Sequence, residues 1–387
     1  MSLLRSIVGL VPIVACLLQV GCYSDSASPS CPATASSVPA ALSGEDFQGY
    51  QRAYAPRPLV FPADHGSHPD FRTEWWYVTG NLMDDRGHAF GYQLTLFRLA
   101  LTPHPAVADS AWRTNQIYMG HFAITDVTGR RHYHFERFSR AALGLAGAQA
   151  SPFRVWLDDW SLQGGTDDAF PLRLQAQEQE LGLDLFLESV KPLVLQGDRG
   201  LSQKSDEPGN ASYYYSATRL RTRGTLTLAK QRFTVSGFSW LDHEWSTSAL
   251  GPEQSGWDWF ALQLDDGREL MMYRLRLKSG GMDPHGSGVL VDVNGATRRL
   301  NHEQMEFTEL KHWTSAATGR RYPIHWRVRI PTENLELTVS PPVEDQEMRN
   351  SVHYWEGAVT VTGRAGDKPI DGRGYLEMTG YSACQTR

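Results

Sequence analysis

Helical periodicity is nearly absent from this sequence, and so are the short motifs that mark most nucleotide-binding and hydrolytic sites. It contains no Walker loop, no Gly-x-Ser-x-Gly, no His-Glu-x-x-His and no Cys-x-x-Cys. These absences disfavour nucleotides, the cofactors that such motifs hold and the commonest hydrolase machinery. We therefore expect a site that works without a cofactor.

Basic residues are also too few to attract nucleic acid. The chain has 37 Lys and Arg against 43 Asp and Glu, a formal net charge of −6. Aromatic residues are plentiful instead, with 12 Trp, 15 Tyr and 15 Phe. Such rings suit half-buried strand faces and apolar cavities alike, and most of them are expected in cores.

The first 22 residues have the pattern of an export signal. Arg5 gives a positive start, residues 7–20 are apolar, and Gly21 precedes Cys22. This ending is typical of a bacterial lipoprotein, whose cysteine is lipidated, although Gln19 stands where Leu is usual. We predict an exported protein anchored to a membrane through Cys22, facing the periplasm or cell exterior, with plain secretion as the alternative.

Residues 23–57 would then form a flexible tether. Of the four cysteines, Cys16 leaves with the signal, and Cys31 and Cys384 remain beside Cys22. An oxidising compartment permits a disulfide between them. Because they lie in the tether and the tail, two free thiols are the alternative.

The rest of the chain carries one pair of strand patterns twice. Opening hairpins at 74–98 and 257–277 both turn at Asp-Asp and Gly, and closing segments at 235–246 and 370–382 also match. Asp-Gly turns between alternating runs are strong hairpin signals. The repeat predicts a tandem duplication, with one domain at 58–247 and the other at 248–387.

Short alternating runs dominate both halves and predict an all-β fold. Each half could close into a barrel of about eight strands, wide enough for a core or one small ligand. Residues 139–145 are a weak helix candidate, and residues 303–310 could be a strand or a short helix. Residues 196–212 lack periodicity and predict a long loop of the kind that often acts as a lid.

The segment WLDHEW at 240–245 is the strongest candidate for chemistry. On a strand, Trp240, Asp242 and Glu244 share one face, and His243 and Trp245 share the other. An acid walled by indole rings is desolvated, which raises a carboxyl pKa and keeps the acid protonated near neutral pH. We predict the Asp, His and Glu as catalytic and the two Trp as substrate-binding, in a cleft between the domains. The alternative is a charged structural link.

Four residues of the opening strands are further substrate-binding candidates: Glu74, Trp76, Trp257 and Tyr273. An ion pair between Arg72 and Glu74 is the simpler interpretation of the first. His132 and His134 share one strand face, but we identify no further ligands and assign no metal site.

Several strings, in order between about His68 and Tyr381, carry a family resemblance. They are HPDFRTEWWYVTGNL, GYQLTLFR, SWLDHEWS, GWDWFALQLDDGRELMMYRLR, YWEGAV and GRGYLEMTGY. Together they resemble the carotenoid 1,2-hydratase family, also called AttH-like proteins. The resemblance implies two tandem lipocalin-like, calycin-type antiparallel β-barrels. It also implies enzymes that hydrate isoprenoid double bonds, with cyclases of hydrophobic natural products in the wider circle.

The hydratase branch of that family implies a His-x-Trp element and a Tyr-x-Asp element. The first matches His243 and Trp245, and the second matches Tyr273, with Leu275 where the Asp is expected. This departure puts carotenoid hydration itself in question. Asp242 or Glu244 could supply the missing acid.

The leading hypothesis is an exported enzyme that acts on a hydrophobic, isoprenoid or polyketide-like substrate by cofactor-independent acid catalysis. Asp242 or Glu244 would protonate an alkene, and the aromatic candidates above would stabilise the carbocation. A lipocalin-like lipid-binding protein without catalysis, or an uncharacterised secreted hydrolase, are the alternatives.

Overall fold

The computed structural model describes residues 48–104 and 110–382. In these residues the structure is all β, with three short 3₁₀ helices at Ala63–His65, His302–Gln304 and Pro331–Glu333. None of these helices is long and apolar enough to cross a membrane. The predicted signal, Cys22, Cys31 and Cys384 lie outside the described residues.

The first sheet contains thirteen strands. They are β1 (Thr73–Asp84), β2 (Ala89–Ala100), β3 (Gln116–Asp126), β4 (Arg131–Arg140), β5 (Ala146–Ala150), β6 (Phe153–Leu157), β7 (Trp160–Gln163), β8 (Leu172–Glu178), β9 (Leu181–Ser189), β10 (Val194–Leu195), β11 (Leu201–Gln203), β12 (Ala211–Leu228) and β13 (Gln231–Ser246). Their order is β4-β3-β2-β1-β13-β12-β9-β8-β7-β6-β5, with β10 and β11 paired to β12. Because β3 and β4 contact β5 and β6 from the other end, the sheet curls into a nearly closed barrel.

The second sheet contains ten strands. They are β14 (Gln254–Leu264), β15 (Glu269–Leu277), β16 (Ser287–Val291), β17 (Thr297–Asn301), β18 (Glu306–Thr314), β19 (Arg321–Ile330), β20 (Leu335–Ser340), β21 (Glu347–Arg349), β22 (His353–Ala365) and β23 (Lys368–Met378). Their order is β17-β16-β15-β14-β23-β22-β20-β19-β18, with β21 paired to β22. The end strands β17 and β18 do not pair, so this sheet is a half-barrel.

Both sheets repeat one topology around their opening hairpin. In the first, the closing strand β13 pairs with β1, and β12 pairs with β13. In the second, β23 pairs with β14, and β22 pairs with β23. The all-β, lipocalin-like prediction is confirmed, although the sheets have more strands than the eight expected and the second does not close.

The hairpin strands at the centre of each sheet are buried on both faces. One face covers its own core, which contains Trp76, Trp160 and Trp245 in the first sheet and Trp326 and Trp355 in the second. The other face packs against the opposite sheet in a third cluster that includes Tyr77, Trp240, Trp259 and Tyr273. These strands therefore contribute both to the core of their own sheet and to the contact between the two sheets.

Two local predictions, a helix at 139–145 and a structureless loop at 196–212, differ from the structure. Residues 139–145 form the end of β4 and a turn rather than a helix, because Leu143 and Gly144 adopt positive φ. Residues 196–212 are not structureless, because β11 pairs with β12 inside this segment. The ambiguous segment 303–310 forms part of a 3₁₀ helix and the start of β18.

The last part of the predicted tether is held against the first barrel. Ala53 is fully buried, and Arg57 forms an ion pair with Asp64 over 2.7 Å. Arg52 pairs with Glu207 in the same way over 2.9 Å. Residues 48–57 therefore belong structurally to the barrel.

Candidate active site

A cavity lies between the two sheets. Its lining is largely aromatic and holds four acids and one amine: Asp242, Glu244, Glu356, Glu377 and Lys204. Clefts between packed units with a few polar groups in apolar walls are the usual place for small-molecule sites.

The two copies contribute equivalent positions to this cavity. Tyr77 lies opposite Asp242 across β1 and β13, just as Trp259 lies opposite Glu377 across β14 and β23. The same registers equate six lining pairs, one member from each copy: Trp75 and Trp257, Tyr77 and Trp259, Thr95 and Tyr273, Phe97 and Leu275, Tyr214 and Tyr354, and Asp242 and Glu377. The second copy is therefore part of the site and not only structural support.

Strand β13 alternates between the cavity and the barrel interior, as a period of two predicts. Asp242 and Glu244 line the cavity, and Trp240 packs in the cluster beside it. His243 is fully buried, and Trp245 joins the core of the first barrel. The residues predicted from the WLDHEW segment are thus divided between two environments.

Asp242 accepts hydrogen bonds from three neutral groups. Tyr214 donates to Oδ2 at 2.7 Å, and Ser216 and the Trp240 indole donate to Oδ1 at 2.5 and 2.6 Å. Burial raises the pKa of Asp242 to about 7 even though these donors oppose the shift, and the nearby Glu244 carboxyl adds to it. This carboxyl can hold or release a proton near neutral pH.

Glu244 has a different partner, which the sequence did not indicate. The Lys204 ammonium lies 3.0 Å from its Oε1, and Ser212 donates to the same oxygen. Burial disfavours the charged lysine, but Glu244 and the neighbouring Tyr273 outweigh it and raise the pKa of Lys204. Lys204 follows β11 directly, in the segment predicted as a loop.

Glu356 and Glu377 are two further acids that sequence reasoning did not select. Burial raises the pKa of both carboxyls, and the charge of Glu356 adds to the shift of Glu377. The neighbouring Tyr77 and Tyr354 oppose the rise in the pKa of Glu356. Neither of its buried oxygens, however, has a hydrogen-bond partner among the described residues. A buried acid without a partner is suited to a polar group of a ligand.

Glu74 lies inside the first barrel, on the far side of β1 from the cavity. Its Oε1 is 2.7 Å from Nδ1 of His68 and 2.9 Å from Nε2 of His243, and Arg98 donates to Oε2 at 2.7 Å. Burial opposes its ionisation, but Arg98 and the two imidazoles outweigh burial and lower the pKa of Glu74. The partner of Glu74 is therefore Arg98, not the Arg72 expected from the sequence.

The other predicted substrate-binding residues also separate into two groups. Trp257 and Tyr273 line the cavity. Trp76 and Trp245 lie in the core of the first barrel, where Trp76 stacks on His243 with ring centroids 4.7 Å apart. Of the predicted set, the cavity thus brings together two acids and two aromatic rings directly.

A model of the AttH-like family matches residues 52–381, most of the sequence. The chain belongs to the AttH-like family. The crystal structure of a protein described as an AttH, from Nitrosomonas europaea, has a TM-score of 0.75 and 36% identity to it, covering 84% of this chain and 99% of that one. The resemblance inferred from the sequence strings is confirmed.

One solved structure with the same fold and one protein with a similar sequence have named activities. Kievitone hydratase from Nectria haematococca shares the fold, with a TM-score of 0.64 and 16% identity over 87% of this chain and 97% of its own. The dehydratase asqC of Emericella nidulans is 21% identical over 226 residues, 55% of this chain. The matched region spans 62% of that dehydratase, less than two thirds of its length.

The two elements implied by the hydratase branch point to different places in this AttH-like chain. His243 and Trp245 face the barrel interior, whereas Tyr273 lines the cavity and lies 3.1 Å from the Ser202 hydroxyl. Leu275 lines the cavity where the resemblance expects an Asp. An acid in this cavity therefore comes from β13, β22 or β23.

Proposed function

We propose that this AttH-like chain is a hydratase-type enzyme that adds water to, or removes it from, a hydrophobic small molecule held between its two sheets. The observation that carries the proposal is the placement of Asp242 and Glu377 at equivalent positions of one aromatic cavity. Carboxyls in apolar surroundings keep their protons to higher pH and can act as general acids.

In the hydration direction, Asp242 donates its proton to one carbon of an alkene. The adjacent carbon becomes a carbocation, which the faces of Trp257 and Trp259 stabilise. Water then bonds to the cation and releases a proton that restores the Asp242 carboxyl. The sum is the addition of one water across the double bond, and dehydration follows the same steps in reverse.

Glu244 serves the proposed reaction as a fixed negative charge rather than as the acid. Its ion pair with Lys204 holds the carboxylate at the cavity wall, where it favours positive charge on the substrate. A hydratase and a dehydratase among the relatives are named for the two directions of one reaction. The proposal includes cofactor-free catalysis and export with anchoring at Cys22, as predicted from the sequence.

The experiment compares the wild type with Asp242→Asn on a panel of isoprenoid and phenolic alkenes in ¹⁸O-labelled water. We expect the wild type to form an alcohol that carries the label, and the variant to lose about 10²- to 10⁴-fold in turnover, the range of general acid catalysis. Asn keeps the acceptor for Trp240 and Ser216, so the melting temperature should stay nearly the same. The apolar dye 8-anilinonaphthalene-1-sulfonate should bind both proteins equally.

Asp283→Asn is the matched control, because it makes the same change at a buried aspartate that does not line the cavity. It should leave turnover unchanged. Full turnover in Asp242→Asn would assign the proton to another acid. An apolar molecule that co-purifies and is returned unchanged, with no labelled product from the panel, would favour the lipid-binding alternative.

A further inference from the structure

A second polar cluster lies inside the first barrel, on the opposite face of β13 from the cavity. His68, Glu74 and His243 each offer one ligand atom, and these atoms lie within 4.8 Å of one another. Glu74 and His243 are fully buried. The proposed reaction uses none of these three side chains.

The hydrogen bond that Nε2 of His68 makes to Asp64 determines the protonation of the ring nitrogen that faces Glu74, Nδ1. Nε2 of His68 lies 2.9 Å from Oδ1 of Asp64, which also accepts from Arg57. A carboxylate only accepts, so Nε2 carries a hydrogen and the neutral ring turns the lone pair of Nδ1 toward Glu74. Nδ1 and Oε1 are 2.7 Å apart, the distance of a hydrogen bond. A proton therefore lies between them in this arrangement, and a bound metal ion would replace that proton.

His243 approaches the same oxygen from the other side. Its Nε2 is 2.9 Å from Oε1 of Glu74, and its Nδ1 is 3.2 Å from the Tyr215 hydroxyl. The other oxygen of Glu74 is held by Arg98 and by the backbone N–H of His68. Metal-binding histidines usually have their outer nitrogen held by a polar partner such as a carboxylate, which is the arrangement of His68 on Asp64.

We infer that His68, Glu74 and His243 bind one divalent first-row metal ion, with Zn²⁺ as the best fit, through Nδ1, Oε1 and Nε2. Two imidazoles and one carboxylate are a ligand set that Zn²⁺ accepts, and three protein ligands leave a fourth position open. Arg57 and Arg98 already balance Asp64 and Glu74 in charge. The charge of the ion therefore favours an anion such as hydroxide as the fourth ligand.

An entry path and a rigid support both exist for this site. A surface depression is lined by His68, Arg57 and Tyr213, so it reaches the first ligand from outside. Trp245 stacks on the His68 ring with centroids 3.8 Å apart and an interplanar angle of 3°. This stacking fixes the direction of the Nδ1 lone pair before an ion arrives.

The test titrates Zn²⁺ into the purified full chain after removal of metals with dipicolinate, by isothermal calorimetry. We expect one Zn²⁺ per chain in the wild type. In His243→Gln the affinity should fall by more than about 100-fold, since the loss of even an outer partner of a ligand costs about 10- to 100-fold. Tetrahedral Co²⁺ absorption in the wild type should be lost in the same variant.

His121→Gln is the matched control. His121 is fully buried and also lies between a tyrosine and a glutamate, 2.7 Å from the Tyr354 hydroxyl and 3.0 Å from Glu136. Among the described residues, however, it belongs to no group of three converging ligand atoms. The His121→Gln variant should bind Zn²⁺ with the same stoichiometry and affinity as the wild type. Equal loss in both variants would overturn the assignment.

A measurement on the wild type alone covers the case in which His243→Gln does not fold. X-ray absorption at the zinc edge should show two imidazole nitrogens and carboxylate oxygen. No stoichiometric Zn²⁺ binding, or a different ligand set, would overturn the proposal. In that outcome, ¹⁵N NMR should find hydrogens on both ring nitrogens of His68, with a proton in the place of the metal.

Discussion

The cavity and the interior of the first barrel both bury carboxyl groups, but they treat their charge in opposite ways. On the cavity side, Asp242 receives only neutral donors, and burial raises its pKa to about 7. On the barrel side, Glu74 is paired with Arg98, and its pKa is lowered. Burial alone therefore does not set the protonation state of an acid here; the charge of its partners does.

Glu356 gives the sharpest contrast with Glu74, because both side chains are almost completely inaccessible to solvent. Glu74 is surrounded by a guanidinium and two imidazoles. Glu356 has no hydrogen-bond partner among the residues of the described ranges, and its pKa is raised. A matched pair of Glu→Gln variants can thus test the comparison directly.

The largest expected effect is the loss of stability in Glu74→Gln. This change leaves the buried Arg98 without its countercharge, which costs about 3–5 kcal/mol in the free energy of unfolding. Glu356→Gln replaces an acid that is already protonated at pH 7, so its stability should stay the same or rise. Urea unfolding of both variants, with a chelator present, measures the difference. Equal losses of unfolding free energy in the two variants would contradict the proposed difference between Glu74 and Glu356.

The cavity acids Glu356 and Glu377 should also affect how the free energy of unfolding depends on pH. In the unfolded chain a Glu ionises near its ordinary pKa of 4.5, whereas Glu356 and Glu377 keep their protons to higher pH in the folded chain. The folded state then binds more protons at these two groups in this window, so their contribution to the free energy of unfolding falls as pH rises above about 4.5. Glu356→Gln should remove on the order of 1–3 kcal/mol of this fall between pH 5 and pH 8. An unchanged slope would mean that Glu356 ionises normally.

The smallest expected effect is a difference in stability between variants of two tryptophans on β13, Trp240 and Trp245. The Trp240 indole donates to Asp242 at 2.6 Å, whereas the indole nitrogen of Trp245 has no partner in the described part of the chain. Trp240→Phe should therefore lose about 1 kcal/mol more stability than Trp245→Phe, because only the first removes a hydrogen bond. Calorimetric unfolding of the pair tests this. Activity in Trp240→Phe should also extend to higher pH, since Asp242 loses a donor that lowers its pKa.

Much of this comparison could be predicted from local sequence. The period of two along 240–245 assigns Asp242 and Glu244 to one face and His243 to the other, and the structure has this arrangement. The matching closing segments also contained the signal for Glu377, because their alignment places it at the position of Asp242. The prediction selected the segment at 240–245, which contains more ionisable residues, and did not include Glu377.

The remaining residues depend on contacts that no local pattern encodes. His243 meets Glu74 across 169 positions of sequence, and only the register of β1 against β13 brings them together. Lys204 lies in a segment rich in turn residues, which gave no indication that its ammonium is buried beside Glu244. Side chains that converge from distant strands require the sheet pairing before they can be recognised.

The equivalence of Asp242 and Glu377 has a consequence for the origin of this protein. If a single-barrel ancestor dimerised through the same face, its interface would have been isologous. Two identical acids would then have faced each other across a symmetric site. After a fusion of two such copies, each copy would be free to change by itself. The first now has a serine, Ser216, where the second has Glu356, and the second has Met378 where the first has His243. The site consequently has two unlike ends, a shape that suits an unsymmetrical ligand.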